Sequence, residues 1–168
     1  EGDILEQGRL RMTCLHPEEN SSYAEANERS TTLYLTYGDF SCLLNGDLEG
    51  SGEERLLEYV RTESTWMRDM AEDNAVTESK ISVTLLHVAH HGSRGATSEE
   101  FLQTFRPMYA YISCGQDNRY GHPHKETLER LQEAGVQQIY DTRYSGELTF
   151  TTNGKKLRVT RNNLRNWQ

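Results

Sequence analysis

The stretch Leu85-Leu86-His87-Val88-Ala89-His90-His91-Gly92-Ser93 constrains the fold of this chain more than any other. An aliphatic run that ends in two histidines, a glycine and a serine predicts a buried strand carrying imidazoles to a sheet edge, with the glycine allowing a sharp turn. In an open α/β sheet, ligands bind in the crevice beyond the carboxyl ends of the strands, which makes His90 and His91 candidate site residues.

The elements around this strand follow from local pattern. Arg9 to His16 alternates polar and apolar and stops at Pro17, a half-buried strand. His16 closes it and reads as a surface or capping residue rather than a ligand. Glu18 to Arg29 is a polar loop. Strands over Thr31–Thr36 and Phe40–Leu44 flank the turn Tyr37-Gly38-Asp39 as a hairpin, and the second runs into Asn45-Gly46-Asp47. An Asp in such a turn is ordinarily only a turn residue, but Asp47 also stands just past a strand end.

Leu56, Leu57, Val60 and Met67 give the stretch from Glu53 to about Met70 the spacing of a helix with one buried face. Trp66 and Met67 are expected to pack there, and Ala71 to Lys80 reads as a polar loop. Thr97 followed by Glu100 predicts a capping box that opens a helix through Phe105, ended by Pro107. Met108 to Cys114 is the next buried strand. It empties into Gly115 to His124, where Pro123 suits the first position of a helix with Leu128 and Leu131 inward and Gly135 at its end. Val136 to Tyr140 is a short strand, and Glu147–Thr152 with Lys156–Thr160 around Asn153-Gly154 is a hairpin. Strand and helix alternate through the middle, which predicts a layered α/β fold; 168 residues suit one domain spanning 1–168.

The formal net charge of -8 argues against a surface built for indiscriminate nucleic-acid binding. The charge is uneven: from Arg119 onward there are nine Lys/Arg against five Asp/Glu, so the basic carboxyl-terminal third could still face a polyanion. Cys14, Cys42 and Cys114 lie in predicted apolar strands without CxxC spacing and read as three buried thiols. The sequence as given has no run long enough to span a membrane and no signal-peptide pattern.

Asp47, His90, His91, His122 and His124 all leave strand ends or begin the helices after them, so they can converge on one sheet edge. Carboxylate plus imidazole is transition-metal chemistry, with Zn, Mn or Fe as candidates. Adjacent residues of an extended strand point to opposite faces, which favours His91 as the ligand and leaves His90 to contact substrate or water. His122 and His124 beside a helix amino terminus suggest an anion cradle.

Ser30, Leu43-Leu44-Asn45-Gly46-Asp47, Val88-Ala89-His90-His91-Gly92-Ser93 and Asn118-Arg119-Tyr120-Gly121-His122-Pro123-His124 together resemble the metallo-β-lactamase-fold domain at the carboxyl end of ComEC-type DNA-uptake proteins, from about Gly8 to Phe150. The resemblance implies the carboxyl-terminal half of an αββα sandwich, a mixed sheet with helices on one face. It also implies a centre of two divalent ions, Zn or Mn, in the complete domain. Asp47 takes the bridging role, His91 or His90 the ligand role, and His90, His122 and His124 the role of steadying the substrate anion.

One departure matters. The HxHxDH-like motif of that superfamily is missing, since no His-x-His or His-x-Asp precedes Asp47.

The implied function is a metal-dependent phosphodiesterase or nuclease linked to DNA uptake when complete. The alternatives are a small phosphoester (phosphocholine-type) hydrolase of the same fold and a binding module that lost its metals. The chain alone is expected to bind metal weakly and to be inactive. Its implied partners are a phosphodiester such as DNA, an amino-terminal half that would cover the apolar face of the sheet, or a second copy. The implied setting is bacterial, membrane-associated or extracytoplasmic.

Overall fold

The computed structural model describes residues 1–62 and 81–162. A seven-stranded mixed sheet organises it, with its strands in chain order: β1 (Ile4–Gln7), β2 (Leu10–His16), β3 (Thr32–Tyr37), β4 (Phe40–Leu44), β5 (Leu85–His87), β6 (Tyr109–Ile112) and β7 (Gln138–Asp141). β1 to β4 are joined antiparallel, and β4 to β7 run parallel. Helices α1 (Ser51–Thr62), α2 (Glu99–Phe105) and α3 (Lys125–Glu133) lie between consecutive parallel strands, and the short α4 (Thr142–Ser145) follows β7. A separate hairpin, β8 (Glu147–Thr152) and β9 (Leu157–Asn162), ends the described chain.

The pleat sorts the side chains into two faces. One row across the sheet runs Tyr34, Leu43, Leu86, Ala110, Ile139, in register from β3 to β7. This face meets Leu56, Leu57 and Val60 of α1, Phe101, Leu102 and Phe105 of α2, and Leu131 of α3, and together they make the core. The opposite row runs Leu5, Met12, Leu35, Cys42, Leu85, Tyr109. On that side the hairpin covers the β6–β7 end, with Phe150 5.2 Å from Tyr111 and 5.5 Å from Tyr140 between ring centroids. At the far end Met12 and Leu35 are half-buried and Leu5 is exposed. The helices on one face match the expected architecture.

Several local expectations need correction. The expected strand ends at His87, and Ala89–Gly92 form a tight turn with His90 and His91 in left-handed backbone. The extended-strand argument for opposite orientations of the two histidines therefore does not apply. Ser98, not Thr97, caps α2, its hydroxyl accepting from the Phe101 N–H, while Thr97 has φ 54°. Pro123 is not the first residue of α3: His124 is the N-cap and Lys125 opens the helix. Of the three cysteines Cys42 is buried, whereas Cys14 and Cys114 are half-buried; all three are free thiols. α1 is described to Thr62, so Trp66, Met67 and the expected loop 71–80 lie outside the described residues.

Candidate functional site

The carboxyl ends of β4, β5 and β6 open onto one crevice, and three loops are locked there. Buried Asn45, just past β4, donates from Nδ2 to the His87 carbonyl at 2.8 Å, tying the ends of β4 and β5 together. Gly46, at φ +55°, turns the chain back and its carbonyl accepts the His90 N–H at 3.0 Å. His90, His91 and Gly92 follow with φ of 47°, 55° and 85°. Two consecutive non-glycine residues in this region cost about 1–3 kcal/mol each. Packing holds them: a Cβ on Gly92 would stand 2.4 Å from Pro123 Cβ, and the Gly92 carbonyl accepts the His124 N–H at 2.9 Å. The two histidine loops are thus pressed together.

A second set of contacts anchors the loop that follows. The buried Glu53 carboxylate of α1 accepts the N–H groups of Thr97 at 2.7 Å and Ser98 at 2.9 Å. From α3, Thr127 donates to the Ser93 carbonyl, and Arg130 donates to the carbonyls of Arg94, Ala96 and Thr97. Asn118 fixes the other loop. Its Oδ1 accepts the His122 N–H at 2.9 Å, and its Nδ2 donates to the carbonyls of His122 and Gly115.

These anchors bring together the residues singled out in the sequence. His90 and His122 have ring centroids 5.4 Å apart, His91 and His122 6.4 Å, His90 and His91 6.2 Å, and His122 and His124 4.8 Å. Asp47 Oδ1 lies 3.6 Å from His91 Nε2. A carbonyl oxygen only accepts, so His91 bonds the Ser113 carbonyl at 2.5 Å through Nδ1–H, leaving Nε2 to face the Asp47 carboxylate. Two acceptors so placed attract each other only with a proton or a cation between them.

His90 is held by a residue that the sequence did not mark. Glu49 accepts from His90 Nδ1 at 2.9 Å and from Asn27 Nδ2 at 2.9 Å. Burial alone would raise the Glu49 carboxyl. The bonds from Asn27 and His90, with the charges of His90 and His122, outweigh it and hold the group below its ordinary value. His122 is held below the ordinary imidazole value, first by burial and then by His124, His90 and His91 crowding it. His124 Nδ1 accepts the Arg94 N–H at 3.0 Å, so its neutral ring carries the proton on Nε2. The crevice therefore combines several imidazole nitrogens with two carboxylates, each of which stands against an imidazole.

His16 is not the surface residue the sequence suggested. It is fully buried, donating from Nδ1 to the Ser30 carbonyl at 2.9 Å while Nε2 accepts the Tyr23 hydroxyl at 2.9 Å. Burial lowers its pKa, which keeps it neutral for both bonds. The Ser30 hydroxyl in turn accepts the Asp47 N–H at 3.1 Å, so His16 positions the Asp47 turn through Ser30.

The donors present can be weighed against the two-metal centre that the resemblance implies. Asp47 and His91 offer one carboxylate–imidazole pair, and His90 is engaged by Glu49. Among the described residues no group of three or more His, Cys, Asp or Glu side chains is placed to hold an ion. A metal centre takes about three protein ligands per ion. These residues alone do not fit it, and the roles assigned below are those of the side chains themselves.

Comparison with known proteins places the chain. No family model matches it. It is 35% identical over 149 residues to ComE operon protein 3 of Bacillus subtilis, covering 89% of this chain and 17% of that protein. It is 29% identical over 136 residues to competence protein ComA of Neisseria gonorrhoeae, covering 81% of this chain and 17% of the relative. Among solved structures it is similar to CmlA, a diiron β-hydroxylase from Streptomyces venezuelae, with a TM-score of 0.45, 14% identity, and coverage of 96% of this chain and 33% of that one. Among the described residues no helix is long and apolar enough to cross a membrane. Spanning 17% of the length of the relatives named here, the chain is homologous to one segment of the ComEC-type competence proteins.

Proposed function

We propose that the chain supplies the phosphodiester-holding side of a hydrolase site that acts on DNA during uptake, within a longer protein of the competence type. The observation that carries this reading is the convergence of His90, His91, His122 and His124 from two loops into one crevice. Burial and the neighbouring imidazoles disfavour a proton on His122, and a phosphate among the rings reverses that balance, although the Nδ1–H groups of His90 and His91 are already given to Glu49 and Ser113. His124 would donate from Nε2, and His122 would gain a proton as the anion enters. Glu49 holds His90 and the Ser113 carbonyl holds His91, so both rings keep their Nε2 edges free of these anchors.

The names of the relatives support the DNA-uptake setting, and the basic balance after Arg119 supports a polyanionic ligand. The overall charge of -8 favours a second reading, a small phosphoester substrate. Binding of a labelled single-stranded oligonucleotide to the chain tests the proposal. The double variant His90→Ala/His122→Ala is expected to bind at least about tenfold more weakly, the loss of one to two charge-assisted hydrogen bonds. Unchanged binding would refute it, and equal competition by a small phosphodiester would favour the second reading.

A further inference from the structure

Two exposed tyrosines stand on the same sheet edge as the histidine crevice. Tyr120 is 62% exposed and Tyr144 74%, whereas the other Phe and Tyr rings among the described residues are buried or half-buried. Tyr120 continues the site directly. Its ring stacks on His122 at 5.8 Å and 23°, and His122 stacks on His91 at 6.4 Å and 25°, so three rings form a staircase from the Asp47 pair to solvent. Arg119 holds the outermost step, its guanidinium 5.0 Å from the Tyr120 ring and donating to the Tyr120 hydroxyl at 2.9 Å.

Tyr144 repeats the arrangement one strand further along. It lies in α4, directly after β7, and the Thr142 hydroxyl ties that helix to the end of β6 by bonding both the N–H and the carbonyl of Cys114. Arg143 is gripped by both oxygens of Asp141, Nε donating to Oδ1 at 3.1 Å and Nη2 to Oδ2 at 2.6 Å, and its guanidinium lies 5.1 Å from the Tyr144 ring. Strand ends in a parallel sheet are about 4.8 Å apart, so the end of β7 is two spacings, about 10 Å, from the end of β5 where His90 and His91 sit.

We infer that Tyr120 and Tyr144 are base-stacking platforms for the nucleic acid proposed above: one phosphate lies among the histidines and neighbouring unpaired bases lie on the two rings. This rests on the phosphate-holding reading and adds the residues that hold the bases. The physical reason is that an exposed aromatic ring gains little from water and much from a planar partner, and every unpaired base offers one. Arg119 beside the Tyr120 ring adds cation–π attraction and a positive charge for the backbone, whereas Arg143, its charge paired with Asp141, only steadies the Tyr144 ring. A duplex hides those faces in its own stack, so the arrangement selects against it, and a small phosphoester has no base to place there.

The test compares two probes on the 168-residue chain by fluorescence anisotropy: a short oligothymidylate and a fully abasic oligomer of the same length. Tyr120→Ala and Tyr144→Ala are each expected to weaken oligothymidylate binding roughly 5- to 150-fold and to leave abasic binding unchanged. Tyr120→Phe and Tyr144→Phe are expected to restore it, because stacking needs the ring and not the hydroxyl. Alanine variants that bind oligothymidylate like the wild type, or that weaken both probes equally, would overturn the inference. The phosphate reading fails separately, if His90→Ala/His122→Ala leaves binding of both probes unchanged.

Discussion

Glu53 is the strongest single test of how the crevice is held, because it acts from a helix and is not itself in the crevice. Its buried carboxylate accepts two backbone N–H groups, from Thr97 at 2.7 Å and from Ser98 at 2.9 Å, at the end of the loop that carries His90 and His91. A hydrogen bond to a charged group is worth about 1.5–3 kcal/mol. Glu53→Ala removes both and leaves the N–H of fully buried Thr97 without its partner. The cost of burying the carboxylate is recovered in the variant, so the expected net loss is about 3–4 kcal/mol. Glu53→Gln keeps one acceptor oxygen and sets an amide NH2 against the other N–H, for an expected loss of about 1–2 kcal/mol.

Urea unfolding followed by far-ultraviolet circular dichroism reads both, at constant m-value. The pH dependence adds a sign. Burial, opposed by the bonds from Ser98 and Thr97 and by Arg130, raises the Glu53 pKa. Its contribution is therefore full below the ordinary carboxylate range and declines as pH rises through the raised value, a slope that Glu53→Gln removes. A loss below about 1 kcal/mol for Glu53→Ala, or a larger loss for Gln than for Ala, would refute the reasoning.

Other expectations concern the crevice and the sheet beneath it. Burial, with a smaller push from His91, lowers the His87 pKa to about 4, so the wild type is expected to lose up to about 3 kcal/mol as pH falls from 6.5 to 4, and His87→Phe to flatten that slope in urea titrations. Gly92→Ala, with φ +85° and a new Cβ 2.4 Å from Pro123 Cβ, is expected to cost at least about 2 kcal/mol and to shift the His122 and His124 resonances; wild-type stability would contradict the packing argument. The chain alone is expected not to turn over a phosphodiester with added Mn or Zn, and to associate through the face bearing Leu5, Met12 and Leu35; robust metal-dependent turnover by a monomer of 19.3 kDa would contradict both.

Much of the parallel half was legible because β4, β5 and β6 are short, mostly apolar runs followed by glycine-containing turns. Asp47, His90, His91, His122 and His124 share one property visible in sequence, a position just beyond such a run. What escaped notice depends on contacts between distant residues. Glu49 looks like one more acidic residue of a loop, and only the fold brings Asn27 and His90 to it. Its spacing two residues after Asp47 was the available signal. His16 read as a surface residue because its burial comes from Tyr23 and Ser30, which fold over it from a polar loop without periodicity. The capping box misled because Thr97 and Ser98 both precede acidic residues, and the tie to Glu53 and the Ala89 N–H draws Thr97 out of the cap. β1, mostly exposed along its length, had no apolar pattern to reveal it.

The central claim is that His90, His91, His122 and His124 form one phosphodiester-binding crevice, and imidazole NMR of the chain titrated with a thymidine dinucleotide tests it most directly. The ring resonances of those four histidines are expected to move together with one saturation curve, while His16, enclosed by Ser30 and Tyr23, stays unmoved as an internal control. Resonances that stay still at saturating dinucleotide, or that move at His16 and not in the crevice, would contradict the account.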